Sequence, residues 1–308
     1  MHDFNGVYPI LATPFDAGER FDAESLRRML AFMQRIGVQG VTVLGVLGEA
    51  NRMVDAEREA IVRTTVEAVG GSMTVIVGVS HPGTQATIAL ARMAADLGAD
   101  ALMVTPSAEP APSDARVAEY FDRVCAGVSL PVVLQDHPAS TGVHMGVPLI
   151  AKIVANNPGI VCIKAEAVPT APKIAALRAA LPRELPMLTG LGALYGQFDL
   201  EQGSNGYNTG FAFPEVLQAH VAAWQRGDAA LARRIWSHFL PLMVFEQQPG
   251  VAVRKELLRR RGLLTTNTVR HPGGPLAPVS VAQLDGLLAA LMPGVDIREP
   301  LDVMALVG

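Results

Sequence analysis

Eight short runs of apolar, β-favouring residues, separated by longer stretches of helical periodicity, constrain this 308-residue chain more than any other feature. The runs are VYPILAT from Val7, GVTVLG from Gly40, MTVIVGVS from Met73, ALMVTP from Ala101, LPVVLQD from Leu130, IVCIK from Ile160, LPMLTG from Leu185 and GYNTG from Gly206. The patterns between them predict helices over 22–36, 55–69, 84–97, 113–126, 148–155, 171–181 and 193–201. Asp22 reads as an N-cap, an analogous aspartate marks the second helix, and Gly98 ends the third. Repeated strand and helix units imply parallel strands joined by right-handed crossovers. Eight such units in this length predict a closed α/β (β/α)8 TIM barrel rather than an open doubly wound sheet. No GxGxxG follows the first run to argue for a dinucleotide fold.

After Pro214 the pattern is helical only, over 216–226, 228–242, 251–261 and 280–291. Residues 1–226 are therefore assigned to the barrel and 227–308 to a C-terminal helical region packed on it. Half of the residues are hydrophobic and 18% are charged, which suits one large core and argues against disorder. A formal net charge of -4, with no long Lys/Arg block, gives no reason to expect nucleic acid or an anionic membrane as partner. Small molecules are the default ligands. The N-terminus MHDFNGVYPI has no basic leader, and no apolar run approaches the ~20 residues of a membrane span. The reading is a soluble, cytoplasmic protein. Cys125 and Cys162 lie in apolar stretches without metal-ligand spacing and read as buried thiols, so no metal and no cofactor is expected.

The stretch GIVCIKAEAVP places Lys164 directly after four apolar residues, Ile160 to Ile163. A strand-ending lysine ordinarily carries its ammonium to solvent on a flexible stem. The barrel changes that expectation, because the C-terminal ends of its strands carry the chemistry and Lys164 ends the sixth. Alternation along an extended strand puts Cys162, Lys164 and Glu166 on one side. An amine enclosed in an apolar mouth has its pKa lowered and can attack a carbonyl carbon to form a Schiff base.

Six segments, in order, carry a wider resemblance: GVYPILATPFDAGERFD, GVTVLGVLGEANRMVDAERE, VIVGVSHPGT, AADLGADALMVTP, LPVVLQDHPASTG and GIVCIKAEA. Together they resemble the dihydrodipicolinate synthase and N-acetylneuraminate lyase superfamily of class I Schiff-base aldolases over nearly the whole chain. The resemblance implies an imine at Lys164, a 2-oxo acid substrate, a homotetramer or homodimer, and a carboxylate held near the loop Gly45, Val46, Leu47, Gly48 and Glu49. That loop also has a physical reading, since its glycines let backbone N–H groups converge on an anion. Val46 and Leu47 stand where the family commonly has two threonines, which keeps the backbone donors and removes a hydroxyl relay.

The departures continue. Gln135 stands where the family's acid-base tyrosine is expected, Ser140 where synthases have an arginine for a second carboxylate, and Ser107 and Ala108 where tyrosines follow the fourth strand. Gln cannot exchange protons as a phenol does. The segments VVLQDHPAS, KAEAVPTAPKIAALR, NTGFAFPE, FEQQPGVAVRKELLRRRGLL and VRHPGGPL are similar to the branch containing 2-keto-3-deoxyarabonate dehydratases. The sequence from Val46 to Glu49 differs from that branch.

An imine of Lys164 acidifies C3 of a 2-oxo acid, and the resulting enamine either expels a C4 hydroxyl or forms a C–C bond. Elimination needs an acid at that hydroxyl, whereas retro-aldol cleavage needs a base. The titratable candidates are Glu166, His137, Asp136, His81 and Glu49, of which Glu166 and His137 are assigned catalytic roles beside Gln135. Asp136 also reads as a ligand of loop amides, and His81 as a helix cap. Asn208 and Thr209 are expected to contact substrate hydroxyls, and His271-Pro272 is given no site role. The leading expectation is a dehydratase of a 2-keto-3-deoxy sugar acid. The alternatives are a pyruvate-dependent aldolase with another acceptor and a non-catalytic 2-oxo acid binder. Without the tyrosine relay and the arginine, condensation of pyruvate with aspartate semialdehyde is expected to be negligible in a coupled assay. A turnover on the order of 10 s⁻¹, ordinary for an enzyme, would refute that expectation.

Overall fold

The computed structural model describes residues 3–106, 113–248 and 250–308; Ser107 and Ala108 lie outside the described residues. All eight expected runs form strands: β1 Gly6–Val7, β2 Gly40–Val43, β3 Thr74–Gly78, β4 Ala101–Val104, β5 Val132–Asp136, β6 Ile160–Ala165, β7 Met187–Thr189 and β8 Gly206–Tyr207. They pair in parallel in the order β1-β8-β7-β6-β5-β4-β3-β2. A parallel bridge from Ile10 to Thr42, with Thr42 N donating to Pro9 O at 2.8 Å and Leu11 N to Thr42 O at 2.9 Å, joins the first strand segment to β2. The sheet thus closes on itself, and a (β/α)8 barrel results.

Closure buries the strands on both faces, which is why their sequences read as continuous apolar runs. Phe4, Tyr8, Ile76, Ala101, Met103, Val133, Cys162 and Leu188 fill the barrel interior. Their neighbours in the strands, including Val75, Val77, Leu102, Leu134 and Ile163, face the surrounding helices. A register shift between Val132 and Val133 makes Val133 pair with Cys162 while Val132 pairs with Ile160. Alternation therefore restarts at Cys162, and its inward phase carries on to Lys164 and Glu166.

The helices follow their local signals with instructive exceptions. Asp22 caps helix Ala23–Ile36 by accepting from Ser25 N at 3.0 Å. Asp55 is instead the first residue of helix Asp55–Val69, and the Glu57 carboxylate reaches back to Val54 N at 3.2 Å. Helix Ala229–Gln247 runs through Pro241 and five residues past its expected end at Leu242. Burial of Phe239, Met243 and Glu246 against the barrel outweighs the local cost of the proline. A short final helix, Val303–Val307, has no counterpart among the expected elements; its buried Val303 joins the C-terminal core.

That core contains Val7 and Tyr207 of the barrel together with Phe213, Leu217, Ile235, Phe239 and Leu257, so the C-terminal helices share one apolar cluster with β1 and β8. The Arg261 guanidinium pairs with Glu215 at 2.6 Å and lies over the rings of Phe32 and Phe213. Among the described residues, no helix is long and apolar enough to cross a membrane.

The seam between β1 and β8 depends on Gly206, which has φ 143 and whose Cβ position lies 1.9 Å from Gly6 O. Gly206→Ala should lower stability by more than about 2 kcal/mol in urea unfolding, because both the backbone conformation and the adjoining strand exclude a side chain. An unchanged midpoint would mean that the seam does not support the barrel.

Candidate active site

The register of β5, β6 and β7 sets Gln135, Lys164 and Leu188 side by side near the C-terminal ends of their strands. Lys164 is 1% exposed and Glu166 5%. Lys164 Nζ lies 3.1 Å from Glu166 Oε2, and the same oxygen accepts from Gln135 Nε2 at 2.7 Å. Glu166 Oε1 accepts from Leu191 N at 3.1 Å. A carboxylate buried beside an ammonium and held by two further donors keeps its charge. Burial raises the Glu166 pKa, but Lys164, His137 and these hydrogen bonds together hold it below the ordinary value. Burial pushes the Lys164 amine down, and Glu166 opposes this only in part.

His137 faces the same space. Its Nδ1 lies 2.8 Å from Ser140 Oγ, and burial lowers its pKa despite the pull of Glu166. An imidazole so placed is neutral near pH 7, able to donate or accept one hydrogen bond but poorly populated as an acid. Ile10, Leu47, Thr209 and Gly192 complete a chamber of about 90 Å³ around the lysine. Thr209 Oγ1 accepts from Gly192 N at 2.8 Å, tying the loop after β8 to the loop after β7. Backbone strain gathers at this mouth: Leu44, Glu49, Leu191 and Ala193 all have positive φ.

In the loop after β2, Gly45, Val46, Leu47 and Gly48 form a tight turn in which Gly48 N donates to Gly45 O at 2.9 Å. Val46 and Leu47 open that turn, so neither backbone N–H has a partner within it. Both residues line the lysine chamber. Gly45 and Val46 also border a second cavity of about 280 Å³, which reaches Asn51, Arg58, His81 and Ser140 and shares Gln135 with the first. His81 accepts from Gly83 N at 3.0 Å at the entry to helix Thr84–Asp96 and lines the second cavity, not the lysine chamber.

Three expected site residues do not turn toward Lys164. The Glu49 carboxylate binds buried Lys255, Arg52 at 2.7 Å and Arg270 N at 3.0 Å. Asp136 is fully buried and pairs with Lys173 at 2.6 Å, while Lys173 also donates to Met145 O at 2.6 Å. Burial raises the Asp136 pKa, against the pull of Lys173. Asn208 Nδ2 donates to Tyr8 O at 3.2 Å and Thr42 Oγ1 at 2.7 Å, across the barrel seam. These polar groups brace the mouth from behind. Conversely, sequence reasoning missed Gln247, which lines the chamber from the C-terminal helical region. Only the docking of that helix reveals it, because a glutamine at a helix end carries no pattern of its own. His271 is exposed at the edge of the C-terminal region, beside the Arg270 contacts.

A (β/α)8 barrel with an enclosed lysine and carboxylate at the strand ends defines an enzyme site, and the comparisons agree in class. Residues 3–291 match the dihydrodipicolinate synthetase family, so the chain belongs to that family. It is a lyase. The chain is 32% identical over 94% of its length to an L-2-keto-3-deoxyarabonate dehydratase from Azospirillum brasilense, covering 94% of that protein. A crystal structure of dihydrodipicolinate synthase from Rhodopseudomonas palustris superposes with a TM-score of 0.90 and 36% identity, covering 94% of this chain and 98% of that one. YagE, a prophage protein of the dihydrodipicolinic acid synthase family from E. coli K12 solved in complex with pyruvate, superposes with a TM-score of 0.86 and 27% identity. That alignment covers 93% of this chain and 98% of YagE.

Lys255 is wholly buried, donates to Thr268 O at 2.7 Å and lies over the Phe15 ring, and burial lowers its pKa to about 8 despite Glu49. Lys255→Met should cost about 3 kcal/mol in denaturant unfolding, since it strands a buried carboxylate. The double variant Lys255→Met, Glu49→Met should recover part of that loss. No recovery would show that Lys255 acts through packing rather than through Glu49.

Proposed function

We propose that the protein is a Schiff-base hydro-lyase acting on a 2-keto-3-deoxy sugar acid. The observation that carries this reading is the buried contact of Lys164 with Glu166, with Gln135 occupying the place where a titrating phenol would otherwise act. Support also comes from the similarity to a protein named L-2-keto-3-deoxyarabonate dehydratase. In this mechanism the unpartnered N–H groups of Val46 and Leu47 receive the C1 carboxylate. The Lys164 amine adds to C2, water departs, and a protonated imine forms. The protonated imine leaves Glu166 beside a cation until C3 is deprotonated, so the carboxylate enters that step ionised and competent as a base.

Glu166 then takes one proton from C3, and the electron pair of that C–H bond flows toward the imine to give an enamine. The enamine expels the C4 oxygen, which leaves as water with the proton that Glu166 has just gained. One carboxylate thus serves as base and then as acid, with no net change in its charge. Water finally releases the dehydrated 2-oxo acid and regenerates the Lys164 amine. His137 and Thr209 remain to hold the departing hydroxyl. Pyruvate-dependent aldol chemistry is the second reading, favoured by the similarity to a structure named dihydrodipicolinate synthase.

A panel of 2-keto-3-deoxy acids, assayed for pyruvate release against dehydrated product, separates the two. Borohydride with pyruvate near pH 7 should fix an adduct on Lys164, and Lys164→Arg should abolish it, because a guanidinium does not deprotonate there. Glu166→Gln should keep the trapped imine while lowering turnover by ~10²-fold or more, the ordinary worth of a general acid or base. Near-normal turnover in Glu166→Gln with a large loss in His137→Asn would transfer the role to the histidine. Pyruvate as the main product would replace elimination by retro-aldol cleavage.

A further inference from the structure

Gln247 is the last residue of helix Ala229–Gln247, yet it lines the chamber around Lys164. Among the described residues its side-chain amide has no hydrogen-bond partner, although it is only partly exposed. The chain makes specific room for it. Gly192, in the loop after β7, has φ 63, and a Cβ there would lie 1.9 Å from Gln247 Nε2. Any side chain at position 192 would displace the amide from the chamber.

The preceding residue is anchored at unusual cost. Glu246 Oε1 accepts from Ala212 N at 3.0 Å, and Oε2 accepts from Arg254 Nε at 3.1 Å and Nη2 at 3.0 Å. Arg254 Nη2 also donates to Gly210 O at 2.7 Å, in the turn that follows Thr209. Both partners are essentially inaccessible to water, at 2% and 0% side-chain exposure. A buried ion pair contributes little net stability over an apolar pair of the same volume. This one ties the helix end to the β8 loop, and so fixes the neighbouring Gln247 beside the substrate chamber.

The direction of the chamber tells what the amide meets. With the carboxylate at the N–H groups of Val46 and Leu47, and C2 on Lys164, C3 and C4 lie at Glu166. Glu166 Oε1 is itself held by Leu191 N, the residue before Gly192. The carbons beyond C4 therefore pass over the turn from Leu191 to Gly192, toward Gln247.

We propose that Gln247 hydrogen-bonds the hydroxyl-bearing tail of the bound acid and thereby selects substrates by tail length and hydroxyl position. The amide offers both a donor and an acceptor, which suits a hydroxyl on C5. This assignment rests on the 2-keto-3-deoxy acid reading for its substrate class, but it is tested by binding rather than turnover.

The test uses the Glu166→Gln background, in which turnover of the acids is slowed, and measures how well each acid blocks borohydride trapping of pyruvate within the time of one trapping reaction. Adding Gln247→Ala should weaken competition by 2-keto-3-deoxypentonate about tenfold, the worth of one good hydrogen bond to a substrate hydroxyl, while apparent pyruvate affinity stays within about twofold. Gln247→Asn, whose amide is set back by one methylene, should shift preference toward 2-keto-3-deoxyhexonate. Equal weakening of pyruvate and the pentonate would mean a loosened wall and would overturn the proposal. So would unchanged competition by the pentonate, or a pentonate that competes no better than a tail-less 2-oxo acid without any variant at Gln247. Selective weakening of the pentonate in a protein that dehydrates none of the acids would uphold the role of Gln247 while removing the dehydratase reading.

Discussion

Everything at the mouth of this barrel is arranged around two opposite charges that water cannot reach. Lys164 and Glu166 face each other at 3.1 Å, each almost fully buried. Their attraction in a low-dielectric site only partly offsets the loss of hydration, so the pair persists because other groups complete it. Gln135 and Leu191 N satisfy the carboxylate, and three strands in register hold the amine in place. The same arrangement leaves the amine less basic than a surface lysine and the carboxylate more acidic than a lone buried one. These are shifts in the same direction, each below its ordinary value, in two groups that share one small space.

A second set of buried ions supports the first without touching it. Glu49 pairs with Lys255 from the loop after β2, Asp136 with Lys173 from the end of β5, and Glu246 with Arg254 between two C-terminal helices that hold Ala212 N and Gly210 O after β8. Two of the three draw on the C-terminal helical region, which therefore forms part of the wall of the chamber. Polar residues next to an active site are easily mistaken for its reactants. Here the test is where a group's donors point, and the Asn208 amide N–H groups are both engaged across the barrel seam.

Much of this was legible before any coordinates. The eight apolar runs specified the strands, since a parallel barrel buries both faces and needs no polar alternation. Lys164 was legible because an apolar strand ending in a cation is hard to explain inside a closed barrel. Glu166 was legible on the lysine's side through the period of two along a strand, and Gln135 only through the family resemblance. Local chemistry also located Asp22 as a cap, because that hydrogen bond spans only three residues.

Other features depend on distances that no local pattern encodes. The helix that runs past Pro241 does so because its later residues are buried on the barrel, which overrides the breaker signal. Glu49 and Asp136 turn away from the lysine toward cations that come from 206 and 37 positions further along the chain, respectively, in Lys255 and Lys173. Gln247 reaches the chamber only because Glu246 is anchored and Gly192 lacks a side chain. The sequence by itself determined the barrel, its strand order and the enclosed lysine at the end of the sixth strand, since these follow from short-range periodicity and simple connectivity. The tertiary structure alone decided which polar groups face that lysine, because each had a choice between substrate space and a distant partner, and packing settled it.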